Sequence, residues 1–147
     1  MITEYLDDTS VGDTHVTRGR TITETDLVGF AMFSGDWHPI HTDTEYAAAD
    51  ERFGERIAHG ALVLSVALGL VTFWPPAMKA FYGIDTLRFV APTRIGDTLH
   101  VRTEVLAVEP KVAGAGLVTS SFTVRNQRGD DVLVATLKSL VARRPAQ

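Results

Sequence analysis

An α+β protein, with an antiparallel sheet wrapped around one apolar helix, is what the 147-residue chain predicts. Three observations lead there. Helix signals are confined to the first half, period-2 alternation fills the second, and the strands are joined by turns too short to hold crossover helices. With 45% apolar and 22% charged residues the composition is that of an ordinary globule, and the length suits one domain, residues 1–147, whose core has room for a modest cavity.

The first helix is read from Thr23, which with Asp26 three residues on has the form of a capping box. Leu27, Val28, Phe30, Ala31 and Phe33 follow, and Gly35 stops the run. A short second helix starts at Asp43 and continues through Glu45, Tyr46 and Ala47 to Ala49, before a turn at Phe53-Gly54. The third runs from Gly60 to about Phe73, apolar nearly all round as a helix surrounded by protein must be, and ends at Pro75-Pro76. Its apolar run falls short of the roughly 20 residues a membrane span needs.

Strands come next. Leu99, Val101, Thr103, Val105 and Ala107 alternate with His100, Arg102, Glu104 and Leu106, which buries one face. Similar runs extend from Phe81 to Val90, Leu117 to Asn126 and Val132 to Ala142, and a weaker one from about Val16 to Ile22. Turn clusters lie at Gly96-Asp97, Gly114 to Gly116 and Gln127 to Asp131.

Charge and cysteine content narrow the chemistry. Fourteen basic against eighteen acidic residues give −4, mixed along the chain, which leaves no field for nucleic acid or anionic lipid. With no cysteine, there is no thiolate nucleophile, zinc finger or iron–sulfur ligation, so catalysis must use His, carboxylates, hydroxyls or backbone. The acidic start, Met1 to Asp8, lacks the basic and apolar regions of a signal peptide, so a cytoplasmic location is expected.

Two stretches carry that chemistry. In Ser34-Gly35-Asp36-Trp37-His38-Pro39-Ile40-His41, Asp36 and His41 lie in a short non-helical segment, with Pro39 fixing φ near −65° and pushing His38 to extended backbone. A carboxylate and an imidazole aimed at one point can hold a water between them, one taking a proton as the other gives one. Asp36 as a plain turn or cap residue is the competing reading. In Ile57-Ala58-His59-Gly60-Ala61-Leu62-Val63-Leu64-Ser65, Gly60 opens the apolar helix, so its free N–H groups and the positive dipole end point outward to a carbonyl gaining negative charge. Ser65 needs a partner if buried, either Asp36 or a carbonyl of its own helix, and His59 reads as a loop-stabilising imidazole.

Asp-Trp-His-Pro-Ile-His followed by His-Gly-Ala-Leu-Val-Leu-Ser resembles the hydratase motif of the MaoC-like family, the (R)-specific enoyl-CoA hydratases and acyl dehydratases of hot-dog fold. Leu87 to Leu99 resembles the strand-turn-strand after that family's central helix, and the three blocks together cover roughly residues 20 to 140. The resemblance implies that Asp36 and His41 activate water, that Gly60 N–H polarises the thioester carbonyl and that Ser65 orients the Asp36 carboxylate. His38 stands where the family usually has Asn, and His38 and His59 are possible loop or substrate contacts. Asp36, His38, His41 and His59 are also potential metal ligands, yet an extended chain aims neighbouring side chains apart, and the resemblance implies neither metal nor cofactor.

In the mechanism so implied, Asp36 is the base toward water and His41 donates to Cα, giving an (R)-3-hydroxyacyl thioester carried on CoA or acyl-carrier protein. Trp37, Phe73, Trp74, Tyr82 and Pro75-Pro76 are candidates for the wall of an acyl pocket, though large aromatics beside an apolar helix are commonly core. Arg88, Arg94 and Lys79 are free to meet CoA phosphates, but scattered cations usually just solvate a surface. The resemblance further implies a homodimer or higher homo-oligomer with the site near the subunit interface, and no membrane or nucleic-acid partner. An acyl-CoA thioesterase and a non-catalytic acyl-thioester-binding subunit are the alternative functions.

Overall fold

The capping box at Thr23 forms in the computed structural model, which describes residues 1–145. Thr23 Oγ1 accepts from the Asp26 N–H at 3.3 Å while the Asp26 carboxylate accepts from the Thr23 N–H at 2.8 Å, so two otherwise orphaned donors at the head of α1 (Glu24–Ser34) are satisfied. Gly35 closes that helix at φ 77°, a left-handed conformation glycine adopts at no steric cost. The second predicted helix is α3 (Thr44–Ala49), capped by Asp43, whose carboxylate accepts from the Tyr46 N–H at 3.0 Å. Between them lies an element not foreseen from the sequence, the one-turn helix α2 (Pro39–Thr42).

The apolar helix α4 (Gly60–Leu70) is shorter than expected. Val71 is already extended, because the chain beyond it leaves the helix to pair with the amino terminus: Ile2 N–H donates to Thr72 O at 2.9 Å and Trp74 N–H to Ile2 O at 2.7 Å. No helix among the described residues is long and apolar enough to cross a membrane.

Six strands follow, β1 (Thr14–Val16), β2 (Arg20–Thr21), β3 (Met78–Phe89), β4 (Thr98–Val112), β5 (Ala115–Arg125) and β6 (Asp131–Ala142). They pair antiparallel in the order β1-β4-β5-β6-β3, with β2 also on β4. The weak run at Val16 to Ile22 divides into β1 and β2 around Gly19, where a side chain would meet the His100 ring at 2.6 Å. Thr17 bridges the break, its N–H donating to Val101 O at 2.9 Å and its Oγ1 accepting from the Val101 N–H at 3.0 Å.

The alternation in β4 buries Leu99, Val101, Thr103 and Val105. With Phe122, Val124, Leu133, Ala135 and Leu137 from β5 and β6, Leu99 and Val101 wrap Leu62, Val63, Val66, Ala67 and Leu70 of α4. Each fully buried side chain of this kind contributes about 1.5–3 kcal/mol, so the helix is held by its surroundings more than by its own propensity. Ile2, Leu6, Ala77, Val105, Val118 and Val141 form a second cluster, against which Phe73 and Trp74 pack. This is the α+β hot-dog arrangement, with the head of α4 opening toward the α1–α3 segment.

Candidate active site

Gly35 turns the chain out of α1 and leaves Asp36 exposed, with its Oδ1 accepting from the His38 N–H at 3.2 Å. His38 is extended as expected, and its Nδ1 accepts from the Ile40 N–H at 3.2 Å. It is therefore the N-cap of α2, and Pro39 takes the first helical position, where a missing N–H costs nothing. An imidazole nitrogen here does the acceptor work a side-chain amide oxygen would do, which gives His38 a structural reason to stand where the resembled family has Asn. The non-helical segment expected around His41 is thus corrected: His41 sits on α2.

His41 is half-buried and its Nδ1 lies 2.7 Å from Ile57 O. A carbonyl only accepts, so Nδ1 carries the hydrogen and Nε2 remains to exchange a proton. Burial holds the imidazole below its usual 6.5, with His59 and His38 adding to the depression; the Ile57 carbonyl and the Asp36 carboxylate oppose it without prevailing.

His59 is 2% exposed, and its Nε2 lies 3.0 Å from the backbone oxygen of Asp36. Its ring stacks on His41 with centroids 3.8 Å apart and planes at 30°, and packs against Phe30 at 5.0 Å. One donor atom each from Asp36, His41 and His59 falls within 4.8 Å of the others. By distance the three could ligate a metal, and each imidazole has one nitrogen already engaged by a carbonyl, leaving His41 Nε2 and His59 Nδ1 as the ring atoms not so held.

Gly60 follows directly. No side chain caps α4, whereas α1, α2 and α3 are capped by Thr23, His38 and Asp43. Its first N–H groups therefore face outward, and the Ala58 N–H to Thr93 O bond at 2.8 Å ties that end to the loop after β3. A Cβ at position 60 would come within 2.7 Å of Phe89 Cζ, so any side chain here requires the half-exposed Phe89 ring to turn outward. The cleft in front, about 370 Å³, is lined by His41, Phe53, Ile57, Gly60, Phe89 and Val132 among others.

Several expected residues lie elsewhere. Ser65 does not reach Asp36: its hydroxyl is on an exposed face of α4 and donates to Ala61 O at 2.8 Å, because a helical serine finds its own preceding carbonyl closer than any loop carboxylate. Phe73 and Trp74 pack in the amino-terminal cluster and Tyr82 lies on β3 under Lys111, so the predicted acyl wall does not form. Trp37 is 54% exposed and outside the lining. Arg94 is engaged by Glu55, its Nε 2.7 Å from the carboxylate but angled away from a true hydrogen bond, and Arg88 donates to Leu87 O. The lining residues Phe53, Phe89 and Val132 carry no polar signature, and the one sequence clue to Phe89 is the glycine it covers.

The MaoC like domain family matches residues 8–126. Protein MaoC of Klebsiella aerogenes is 43% identical over 129 residues, covering 87% of this chain and 34% of that protein, so the chain spans about a third of its length. The 3-hydroxybutyryl-CoA dehydratase of Methylorubrum extorquens is 36% identical over 130 residues, covering 88% of this chain and 78% of its own. Among solved structures, the MaoC-like dehydratase from Rhodospirillum rubrum superposes with a TM-score of 0.86 at 33% identity, covering 98% of this chain and 100% of that one. With that family's model matching residues 8–126 and relatives above 30% identity over most of its length, the chain belongs to the MaoC-like family.

Proposed function

We propose that the chain is an (R)-specific enoyl-CoA hydratase or 3-hydroxyacyl thioester dehydratase, adding water across the 2,3 double bond of a trans-2-enoyl thioester and reversing that step. The observation that carries the reading is that His41, with an Asp36 oxygen within 4.8 Å of it, lines one apolar-walled cleft together with Gly60 at the uncapped head of α4. The dehydratase name of the Methylorubrum relative agrees with it, and the (R) configuration rests on the resemblance of the sequence motif.

An enoyl thioester is electrophilic at Cβ because its carbonyl can take up charge as an enolate. The Gly60 N–H donates to that oxygen, and the aligned peptide dipoles of α4 favour the charge as it grows. Water sits between the Asp36 carboxylate and His41. The expected order, Asp36 as base and His41 as donor, changes with the geometry: a neutral imidazole with hydrogen on Nδ1 presents a lone pair at Nε2 and has no proton to give first. His41 Nε2 therefore takes a proton from water as the oxygen bonds Cβ and the π electrons move onto the thioester oxygen. The imidazolium then returns that proton to Cα as the enolate collapses. Asp36 accepts a hydrogen bond from the O–H that the water keeps and steadies the cation. One water supplies both the OH and the H, so the step balances without a cofactor.

The carrier is CoA or an acyl-carrier protein. A second copy of the chain fits along β3, whose described residues pair only with β6 and which carries Phe81 and Tyr82 at 43% and 51% exposure, an arrangement suited to a homodimer. Incubation with crotonyl-CoA tests the function. Loss of the enoyl-thioester absorbance without free thiol, and a product oxidised by an (R)-specific dehydrogenase, is the expected result. Thiol release would replace the reading with a thioesterase, and tight binding without turnover would replace it with a binding subunit.

A further inference from the structure

His59 is a buried polar side chain beside the cleft that the proposed chemistry does not use. It is fully enclosed, yet its Nδ1 has no hydrogen-bond partner among the described residues, an arrangement that burial normally selects against. A smaller apolar residue would avoid that loss. What the imidazole supplies instead is three attachments at once: Nε2 on the Asp36 carbonyl, its face on the His41 ring, and its backbone as the residue that opens α4 just before Gly60. The ring also packs against Phe30 of α1, with centroids 5.0 Å apart, which adds a third element to its surroundings.

We infer that His59 is a positioning residue that sets the Asp36 loop, the His41 ring plane and the Gly60 amide in one mutual geometry, so that water and thioester meet in register. The inference rests on the hydratase reading for its effect on rate. Its geometric content stands apart from that reading. Placement of this kind governs catalysis steeply, because reacting groups must meet at near-contact distances and a small displacement of either partner is felt in kcat before it is felt in binding. The Asp36 carbonyl can only accept, so the His59 proton must be on Nε2, while that of His41 must be on Nδ1. The two stacked rings therefore hold opposite tautomers.

Two variants divide the attachments. His59→Gln keeps a donor near the Nε2 position for the Asp36 carbonyl but loses the stack, and His59→Phe keeps a flat ring on His41 but loses the donor. In each, kcat for crotonyl-CoA is expected to fall about tenfold or more with KM within about threefold. The acid limb of the kcat/KM profile should also move to higher pH. The groups facing His41 are Asp36 and His38 from the loop before it and His59 from the head of α4, and only the last is removed. Unchanged kcat and an unmoved acid limb in both variants, even with a lowered melting temperature, would make His59 a packing residue and overturn the inference. Should either variant fail to fold, nitrogen-15 NMR of the wild-type histidines decides. An Nε2–H His59 with a slowly exchanging proton is expected, and an Nδ1–H His59 or a rapidly exchanging one would overturn it. If the wild type leaves crotonyl-CoA unchanged, the hydratase reading fails, and the same tautomer measurement still judges the geometry.

Discussion

The heads of α1 and α4 are built in opposite ways. At α1, Thr23 and Asp26 close two backbone donors reciprocally, and Arg20 adds a 2.5 Å ion pair to the same carboxylate. At α4, which is more deeply buried along its length, no side chain caps the first turn, the preceding residue is an enclosed imidazole and the first residue is a glycine. In the proposed reaction the thioester oxygen takes the donors that α1, α2 and α3 give to their own capping side chains. The difference separates residues that stabilise from residues that react, and it is open to experiment.

The largest effect belongs to the open end. Asp36→Asn removes the carboxylate that faces water and imidazolium, so turnover of crotonyl-CoA should fall by about 10²–10⁴-fold while the melting temperature holds, because the side chain is exposed. Unimpaired turnover would break the assignment. Gly60→Ala should cost no more than about 1 kcal/mol, since the half-exposed Phe89 ring can turn outward from the new methyl, and adding Phe89→Ala should remove that cost. Chemical denaturation of the single and double variants checks this, and equal destabilisation with Phe89 present or absent would contradict it.

Acidity acts on the same end. His41 must be neutral to take the first proton, so kcat/KM should be level at neutral pH and fall about tenfold per pH unit once the imidazole charges, below 6.5. Stability follows with a definite sign. Because the folded value is depressed, the unfolded chain binds more protons between the two values, and His41's contribution is complete above 6.5 and lost as pH falls toward the folded value. Denaturation midpoints and rates measured across that range in wild type and His41→Gln separate the two effects.

At the closed end the expectations are smaller and structural. Thr23→Ala should destabilise by about 1 kcal/mol through the lost cap and leave kcat/KM alone. Ser65→Ala should change stability by under about 0.5 kcal/mol and activity by no more than about threefold, since its hydroxyl only returns to Ala61 O. A large activity loss there would restore the role expected from the sequence.

What was legible in the sequence divides along physical lines. The caps at Thr23 and Asp43, and the alternation from Leu99 to Val105, depend on neighbours three residues or two residues away, and they appear as read. Asp36, His41 and Gly60 stand out because their residue types are unusual at that spacing; the fold sets Asp36 beside His41, and puts His41 and Gly60 on one cleft. The end of α4 was misplaced because Thr72, Phe73 and Trp74 are compatible with a helix, and what draws them out is pairing with Ile2 at the far end of the chain. Phe53, Phe89 and Val132 were missed for the same reason: which apolar residue lines a cleft depends on the register of strands that local pattern does not encode. The capping role of His38 was also hidden, because α2 is a single turn with no periodicity to read.

The open end is tested most directly by the amide spectrum of nitrogen-15-labelled protein titrated with butyryl-CoA, a saturated substrate mimic that cannot react. The Gly60 N–H should move strongly downfield as it takes up the thioester oxygen, while the capped amides of Thr23 and Asp26 stay in place. A Gly60 amide that does not move at saturating butyryl-CoA would contradict the account.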